Sequence, residues 1–583
     1  MRKPLSIGIA DNRYVSKLDT TFQKKSNLYG IASGVTPCVL SNGSVGGVAV
    51  PDNTTVILRA YVTAQQIGID AHGGWTVYAM LKSGIGTAAI VGIPVITDLT
   101  GVSPWTLALS VSGDKAVLTF TGGTNAVVEV YAEAEITTLV SGITLLSDPV
   151  GLVRPAGFPA IQVYQINPSG AYDSAYNPIS LSPGSAVTVY VSTSGNDSTG
   201  DGSIGSPYAT YGKALTVSGV TKIIFRAGTY YDAEHWNELY TNKSIHAEAY
   251  QNEVVVLGPH VSSTWTKTGG YSNIYQRSFT NASSLKVEVY DGKIIDSEGF
   301  PTQFTEVQDL ATLDATPNAF LSQPASGKLY VRTSDDRDMT NGVQRRYVIP
   351  RIYSNGGARF KGAATPPTFY LRNLKVVGGG RSVYATVDSA VTGTLVVDSC
   401  CIIGPAYNTT PSGDTTNGIQ VEGINLIVYN TKGKNMTNDW INSHPHAGVT
   451  PWVYVYNSPG KHIGISGVGS VNICTTHQGG FLFVVNTDGD DCYGGMQASI
   501  NTGTQHIVYG GTMSNSHGDG LNSDYALAYG ALNGGTTMWL IGVKDSGCTH
   551  SILAETGSTV YYTSDCVFNG DKITRGTGQI IPI

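Results

Sequence analysis

Val428-Tyr429 is followed at an offset of eleven by Asp439-Trp-Ile-Asn-Ser-His444, and Val508-Tyr509 is followed at the same offset by Asp519-Gly-Leu-Asn-Ser-Asp524. The two copies lie 80 residues apart, 508 minus 428. Related short blocks fall around them: Asn417-Gly-Ile-Gln-Val-Glu422, a weaker one at His462-Ile-Gly-Ile-Ser466, Asp490-Asp-Cys-Tyr-Gly-Gly495 and His550-Ser-Ile-Leu-Ala-Glu555. Taking Asn417, Asp439, Asp490, Asp519 and His550 as equivalent, with the weak block between the second and third, gives steps of roughly 22 to 31 residues, the length of one β-helix coil. The 80-residue spacing then predicts three coils.

Strands of successive coils stack ~4.8 Å apart, and alternate side chains point into the lumen and out of it. The alignment therefore sends Ile419, Val421, Ile441, Ser443, Cys492, Leu521, Ser523, Ile552 and Ala554 inward, all apolar or small. It sends Gln420, Glu422, Asn442, His444, Tyr493, Asn522, Asp524, Leu553 and Glu555 outward. One face is thus lined by amides, acids, a histidine and an aromatic ring.

Upstream, Val187-Thr-Val-Tyr-Val-Ser-Thr-Ser-Gly-Asn-Asp-Ser-Thr-Gly-Asp-Gly-Ser-Ile-Gly-Ser-Pro-Tyr-Ala-Thr-Tyr-Gly-Lys-Ala-Leu215 reads as a strand, an acidic Gly-rich turn and a short amphipathic helix. This opening resembles that of right-handed parallel β-helix proteins of the pectate-lyase-like superfamily, many phage tailspikes and tail fibre proteins among them. A first coil has an open edge, and a helix laid over it prevents end-to-end pairing. Ser206, followed by Pro207, is the expected helix cap. Asp197 and Asp201 read as turn-shaping residues, with a Ca2+ site as the alternative. The resemblance spans about 187 to 583. It implies a polysaccharide-facing protein, a homotrimer and a place in a virion, but its members include lyases, hydrolases and pure binders, so it assigns no residue a catalytic role.

Cleaving a glycan takes two carboxyl groups ~5 Å apart for retention or ~6.5 to 9.5 Å apart for inversion, or else a base beside a uronate carboxyl. The residue types at these positions make Asp439, Asp490, Asp519, Asp524, Glu422 and His444 the candidates for acid and base, and Gln420, Asn442, Asn522, Tyr493, Trp440 and Glu555 the candidates for holding sugar. Asp439, Asp490 and Asp519 precede the strands by two residues. A ladder of turn aspartates bonding backbone amides is their other reading. His444-Pro-His446 and Ser516-His517-Gly518-Asp519 lack a second ligand pair, so neither a metal nor another cofactor is expected.

The rest of the chain fits this frame. Of 583 residues only 13% are charged, and 71 are glycine, against ~25% charged in ordinary soluble domains. Acids exceed bases by 42 to 35 and no basic run stands out, so nucleic acid is excluded as an expected partner. No apolar stretch approaches the ~18 residues of a membrane span, and the apolar opening ends at Asp11, too short for a signal peptide. The seven cysteines lack CxxC spacing and read as small buried hydrophobes. Val15, Leu18 and Phe22 suggest a helix over 12–28 in an attachment peptide, 1–30. Period-two runs from Thr55-Val-Ile-Leu to Ala126-Val-Val-Glu-Val predict a β-sandwich adaptor over 31–140. Prolines 149, 155, 159, 168, 178 and 183 predict an extended neck over 141–186. The expected chain is all-β: a right-handed single-stranded parallel β-helix over 187–583, with a β-rich insertion near 260–355, preceded by an N-terminal β-sandwich domain.

The expected function is recognition, with depolymerisation, of a bacterial surface polysaccharide, capsule or lipopolysaccharide, by a trimeric protein attached to phage tail or baseplate proteins through its N-terminal region. It would be made in the host cytoplasm. A non-enzymatic receptor-binding or structural tail protein and a free polysaccharide lyase are the rival readings.

Overall fold

Short β-branched runs separated by Gly and Asn corners wind into coils. The computed structural model describes residues 23–583, except 34–37, 40–47, 50–54, 67–71, 85–86, 99–104, 113–114, 122–126, 140–142, 167–169, 175, 185–186, 232–238, 242, 252, 259–263, 280–286, 343, 352–357, 363–366, 379–380, 388–391, 405–416, 465–470 and 519–525. The chain divides into two compact units, one of residues 1–148 and 159–186, the other of 149–158 and 187–583.

In the second unit three long sheets, all paired in parallel, run the length of a β-helix. Twelve strands from Thr188–Val191 to Gln579–Pro582 form one wall, nine from Gly228–Tyr231 to Lys544–Ser546 the second, and ten from Leu239–Thr241 to Asp571–Thr574 the third. One coil takes a strand from each wall in turn, as in Ile424–Tyr429, Lys432–Met436 and Ile441–His444. Val428 pairs with Val455, Val455 with Val484 and Val484 with Val508. Residues 428 and 508 therefore stand three coils apart in one column, as the spacing predicts. Leu426, Val428, Val453, Val455, Leu482 and Val484 are all fully buried in the lumen, each contributing ~1.5 to 3 kcal/mol of burial.

The corner from the twelve-stranded to the nine-stranded wall repeats one bend. Asn373, Ser399, Asn430, Asn457, Asn486, Gly510 and Gly542 follow the last paired residue of seven successive strands, with φ between 45° and 63°. Only Gly and, at lower cost than other residues, Asn adopt this left-handed backbone routinely. Each N–H reaches across to the next coil, as Asn430 N–H does to the Tyr456 carbonyl at 2.9 Å. The Asn457 amide also donates to the Asn430 side chain at 2.8 Å.

The first coil is covered by a helix, Tyr211–Thr216. Its cap is Thr210, whose hydroxyl accepts from Lys213 N–H at 3.1 Å, and not Ser206. Asp197 explains the shift, since its carboxylate takes the Ala209 and Thr210 N–H groups and the Thr210 hydroxyl. Asp201 takes Ser203 N–H at 2.8 Å. Both aspartates are thus employed in shaping the turn.

Between Val255–Gly258 and Ala358–Gly362 an insertion adds a five-stranded and a three-stranded sheet around its own core of Trp265, Phe304, Phe320 and Leu329. Within it Arg337 is buried against Asp291 and Asp335. The stretch 141–186 is not simply extended. Ile143–Leu145, Val163–Ile166 and Ala171–Ser174 pair antiparallel. Residues 149–158 lie on the outer side of the twelve-stranded wall. There the Phe158 ring meets Trp452, Phe481 and Phe483 at 4.9 to 5.4 Å, and Val153 N–H donates to the Gln505 side chain at 3.1 Å.

In the first unit, a five-stranded antiparallel sheet (Gln23–Ser33, Val127–Leu139, Thr55–Gln66, His72–Gly84, Thr87–Asp98) and a smaller one built on Lys115–Thr121 share a core of Leu58, Val62, Trp75, Trp105 and Phe120. The helix expected over 12–28 is corrected in its second half: Gln23–Ser33 is a strand paired with Val127–Leu139, because its partner strand supplies hydrogen bonds along the full length. Residues 1–22 lie outside the described residues.

Candidate functional site

The outer face of the ten-stranded wall is set by register. Glu422 pairs with His444 across one coil step, and Gln420 with Asn442. Asn442 pairs with Thr475, and His477 follows Thr476 one coil above His444. The His444 and His477 rings stack, centroids 4.3 Å apart and planes 14° from parallel. Burial, and the proximity of His444, push His477 down to about 3, so it is neutral at ordinary pH. Below these coils, Tyr384 donates to Glu422 Oε2 at 2.9 Å, and the Arg381 guanidinium lies 3.4 Å from Oε1 and 4.1 Å from the Tyr384 ring centre. Burial and the Glu422 carboxylate raise the Tyr384 phenol.

Behind this strip runs a hydrogen-bonded chain. Gln420 donates to Glu422 Oε1 at 2.9 Å and accepts from Asn417 at 3.1 Å. The Asn417 oxygen takes Asp439 N–H at 3.1 Å. Asp439 in turn accepts from Asn472 N–H at 2.7 Å, from the Asn472 amide at 3.1 Å, and from the Asn442 amide. Arg381, Tyr384, Glu422, Gln420, Asn417, Asp439, Asn442 and Asn472 are thus one connected network. Such a chain fixes side-chain directions before any ligand arrives. Above it the same columns turn apolar: Ala498, Gly530 and Leu553 continue from Thr475, and Ala498, Leu527, Leu532 and Leu553 pack together.

The sequence-derived candidates divide. Glu422 and His444 are partly exposed on this face; Gln420 and Asn442 share it in register but are only 1% and 3% exposed, their amides taken into the network behind it. Asp439 is on it but 4% exposed and bonded to backbone, which is the turn-ladder role. Trp440 is corrected: it is fully buried, its indole N–H donates to the Ser458 carbonyl at 3.2 Å, and glycines 418, 433 and 460 leave room for its ring. Asp490 and Tyr493 are also corrected. Gly489–Tyr493 belongs to the nine-stranded wall, paired with Gly460–Ile463 and Thr512–His517. Coil length varies with the loops, and the block resembling Asp439-Trp-Ile falls in a different third of its coil. There Asp490 accepts from Asn515 at 2.8 Å, and Tyr493 packs on His517. Next to them Asp491 bridges His462 and His517; burial opposes its charge, but the two imidazoles hold it below the usual carboxylate range. Glu555 accepts from Asn533 N–H at 2.6 Å and faces Arg575 at 3.4 Å, closing a turn instead of lying on the strip.

Asp519, Asn522 and Asp524 lie outside the described residues, as do Leu521 and Ser523. The positions three coils from Ile441 and Asn442 are taken by Tyr529 and Gly530, so the expected column joining Asn442 to Asn522 is corrected. Cys492, expected in that column, is buried on the nine-stranded wall. Sequence reasoning passed over Arg381, Tyr384, His477 and Asn472. Asn472 had a signal: like Asn417 and Asp439 it stands two residues before an inward apolar residue.

Among the described residues no three His, Cys, Asp or Glu side chains are grouped to hold a metal ion, and no helix is long and apolar enough to cross a membrane. No family model matches the sequence. No curated protein matches it either. Solved structures to which the chain is similar include XylC in complex with xylose (12% identity, 66% of this chain and 70% of that one, TM-score 0.31). Others are the catalytic domain of a GH87 α-1,3-glucanase with nigerose (10%, 95% and 80%, TM-score 0.27) and the Gp54 tailspike of Acinetobacter baumannii bacteriophage AP22 with capsular saccharide (11%, 63% and 68%, TM-score 0.19).

Proposed function

We propose that this chain is a tailspike-like receptor-binding protein that lays a bacterial surface polysaccharide along the outer face of the ten-stranded wall and cleaves it there. The observation that carries the reading is the connected polar network over four consecutive coils, from Arg381 to Asn472, with Glu422 and His444 in register on adjacent coils. The buried amides and Asp439 hold Glu422 in place from behind, and Glu422 and His444, both partly exposed, are the groups a sugar would meet. Glu422 and His444 are the proposed acid and base pair, and His477 the flat surface behind it. Asp519 and Asp524 stay proposed as further acids on sequence grounds. Homotrimeric assembly, attachment through the N-terminal unit and a virion location belong to the same proposal.

The binding-only reading is favoured by one observation: Asp439 is consumed by Asn472 and Asn442, and Glu422 is held by Arg381, Tyr384 and Gln420. The two separate on incubation with purified capsule and lipopolysaccharide, followed by assays for new reducing ends and for absorbance at 232 nm. Cleavage by the native chain, reduced at least 100-fold in Glu422→Gln, supports the enzyme. Tight binding without new ends supports the binder.

A further inference from the structure

Asp490 and Tyr493, displaced from the ten-stranded wall, stand among other polar side chains on the nine-stranded one. Three successive strands there, Gly460–Ile463, Gly489–Tyr493 and Thr512–His517, break the in-and-out alternation of a regular strand at one place. His462, Asp491 and Asn515 have φ of 55°, 57° and 55°, a left-handed bend that Asn, Asp and His adopt more readily than other side chains. Each bend lets two consecutive side chains face outward before the next turns into the lumen. Lys461 and His462 thus precede buried Ile463, Asp490 and Asp491 precede buried Cys492, and Ser514 and Asn515 precede buried Ser516. The register stacks these pairs coil on coil and sets Tyr493 beside His517.

The result is a strip with more polar groups per coil than a regular strand presents. Lys461, His462, Asp490, Asp491 and His517 have side chains 34 to 49% exposed. The insertion is docked one coil below, where Lys434 donates to Asp296 and the Asn435 amide to the Tyr290 hydroxyl, both at 2.8 Å. The strip's groups also hold one another in place. Asp491 meets His462 Nδ1 with one oxygen and His517 Nε2 with the other, the second at 2.8 Å, so one carboxylate ties three coils. Nε2 of His462 and Nδ1 of His517 are left without a partner among the described residues. Asn515 donates to Asp490 at 2.8 Å, and the Tyr493 and His517 rings are 5.0 Å apart.

Resting on the reading that this chain binds a bacterial polysaccharide, we infer that the strip is a second carbohydrate-contact site, which holds a further length of a hydroxyl-rich glycan on the nine-stranded wall. Sugar hydroxyls both donate and accept. Asp490 and Asp491 offer acceptors, Lys461 a donor, and the free imidazole nitrogens either role according to tautomer. Tyr493 and His517 add flat rings against which the C–H face of a sugar packs. A protein partner would call for an apolar centre, and Tyr493 is the one large hydrophobic side chain of the strip. The three coils rise roughly 10 Å, enough to follow a polymer and not a single ring. A chain that reaches both this strip and the Glu422 and His444 face makes its second contact intramolecularly, which raises affinity above that of either site.

The test uses the full chain and a panel of purified capsular polysaccharides and lipopolysaccharide O-chains, with two readouts. Biolayer interferometry compares the native chain with Tyr493→Ala and with Asp490→Asn, a change at an exposed position, and thermal melts verify that each variant is folded. Modification of the native chain by diethyl pyrocarbonate, mapped by mass spectrometry with and without polymer, reports on His462 and His517 for the strip and on His444 for the ten-stranded wall. A bound polymer should protect His462 and His517, and Tyr493→Ala should weaken binding by about 10-fold or more, with Asp490→Asn shifting it in the same direction. Protection of His444 alone, with both variants binding like the native chain, would overturn the inference and leave the proposed function standing. Protection of His462 and His517 alone would uphold the strip and remove the ten-stranded face from the reading. No binding to any polymer would overturn both.

Discussion

His477 lies flat on His444 with ring centroids 4.3 Å apart, one coil above it. The stack has a thermodynamic signature. The folded chain holds His477 at about 3, below its ordinary value of 6.5, through burial and its neighbour. The unfolded chain therefore binds the extra proton first. The stabilisation is complete above about pH 6.5 and drains away as pH falls from there toward 3, at no more than ~1.4 kcal/mol per pH unit. Urea midpoints measured from pH 7 to 4 should fall for the native chain and fall less steeply for His477→Gln. An equal slope in both would dismiss the effect.

His506 should respond in the same direction. It points into the lumen between Leu482 and Met538, fully buried, and neither ring nitrogen has a hydrogen-bond partner among the described residues. Burial pushes it down to about 3. His506→Met replaces an unsolvated polar ring by the side chain already used one coil above. Its gain in stability should be ~1 to 3 kcal/mol at neutral pH and larger at pH 5. Calorimetry at the two pH values checks both the sign and the trend.

Asp439 and Asp490 look alike in sequence but should behave differently. Asp439→Ala strips the acceptor from the Asn472 N–H and from two side-chain amides, at ~1 to 3 kcal/mol for each donor left unpaired in the interior. Asp490, whose side chain is 39% exposed, should change by less than ~0.5 kcal/mol when replaced by Ala. Thermal melts of the pair would show it, and equal losses would contradict the assignment of Asp439 to the turn ladder.

A methyl group at position 433 should be enough to disturb the core. A Cβ there would stand 2.5 Å from the Trp440 indole, so Gly433→Ala forces the ring or the backbone aside, costing ~1 to 3 kcal/mol. The double variant Gly433→Ala with Trp440→Leu should cost less than the sum of the two single ones. Additive losses would mean that the two positions do not meet.

The coil period was legible because Val428 and Val508 belong to one lumen column, where every coil makes the same demand for a β-branched or aliphatic residue. What misled the reading further along was the loops. From Val428 to its coil's lumen position at Ile441 is 13 residues, whereas from Val508 to the matching Tyr529 is 21. A block-by-block match therefore put Asp490 on the wrong wall of its coil. Trp440 sits in a polar-looking block, and only the three glycines that make its hole, distant in sequence, show where the ring goes. The Asn430, Asn457 and Asn486 corner was written in the sequence as an aromatic or Val residue followed by Asn, a cue independent of loop length. Arg381 and Tyr384 precede the repeat altogether, and only the register of the wall brings them beside Glu422.

That shared left-handed bend makes the coil an interchangeable part. Asn430 and Asn457 stand at the same point of consecutive circuits, with the same backbone and the same upward N–H bond. Excising one whole circuit, residues 431–457, would join a corner to its own copy and leave the circuits on either side able to close over the gap. The height of the pillar, and with it the reach of whatever its wall grips, is in this sense an adjustable dimension that lineages or engineers can lengthen or shorten by whole storeys.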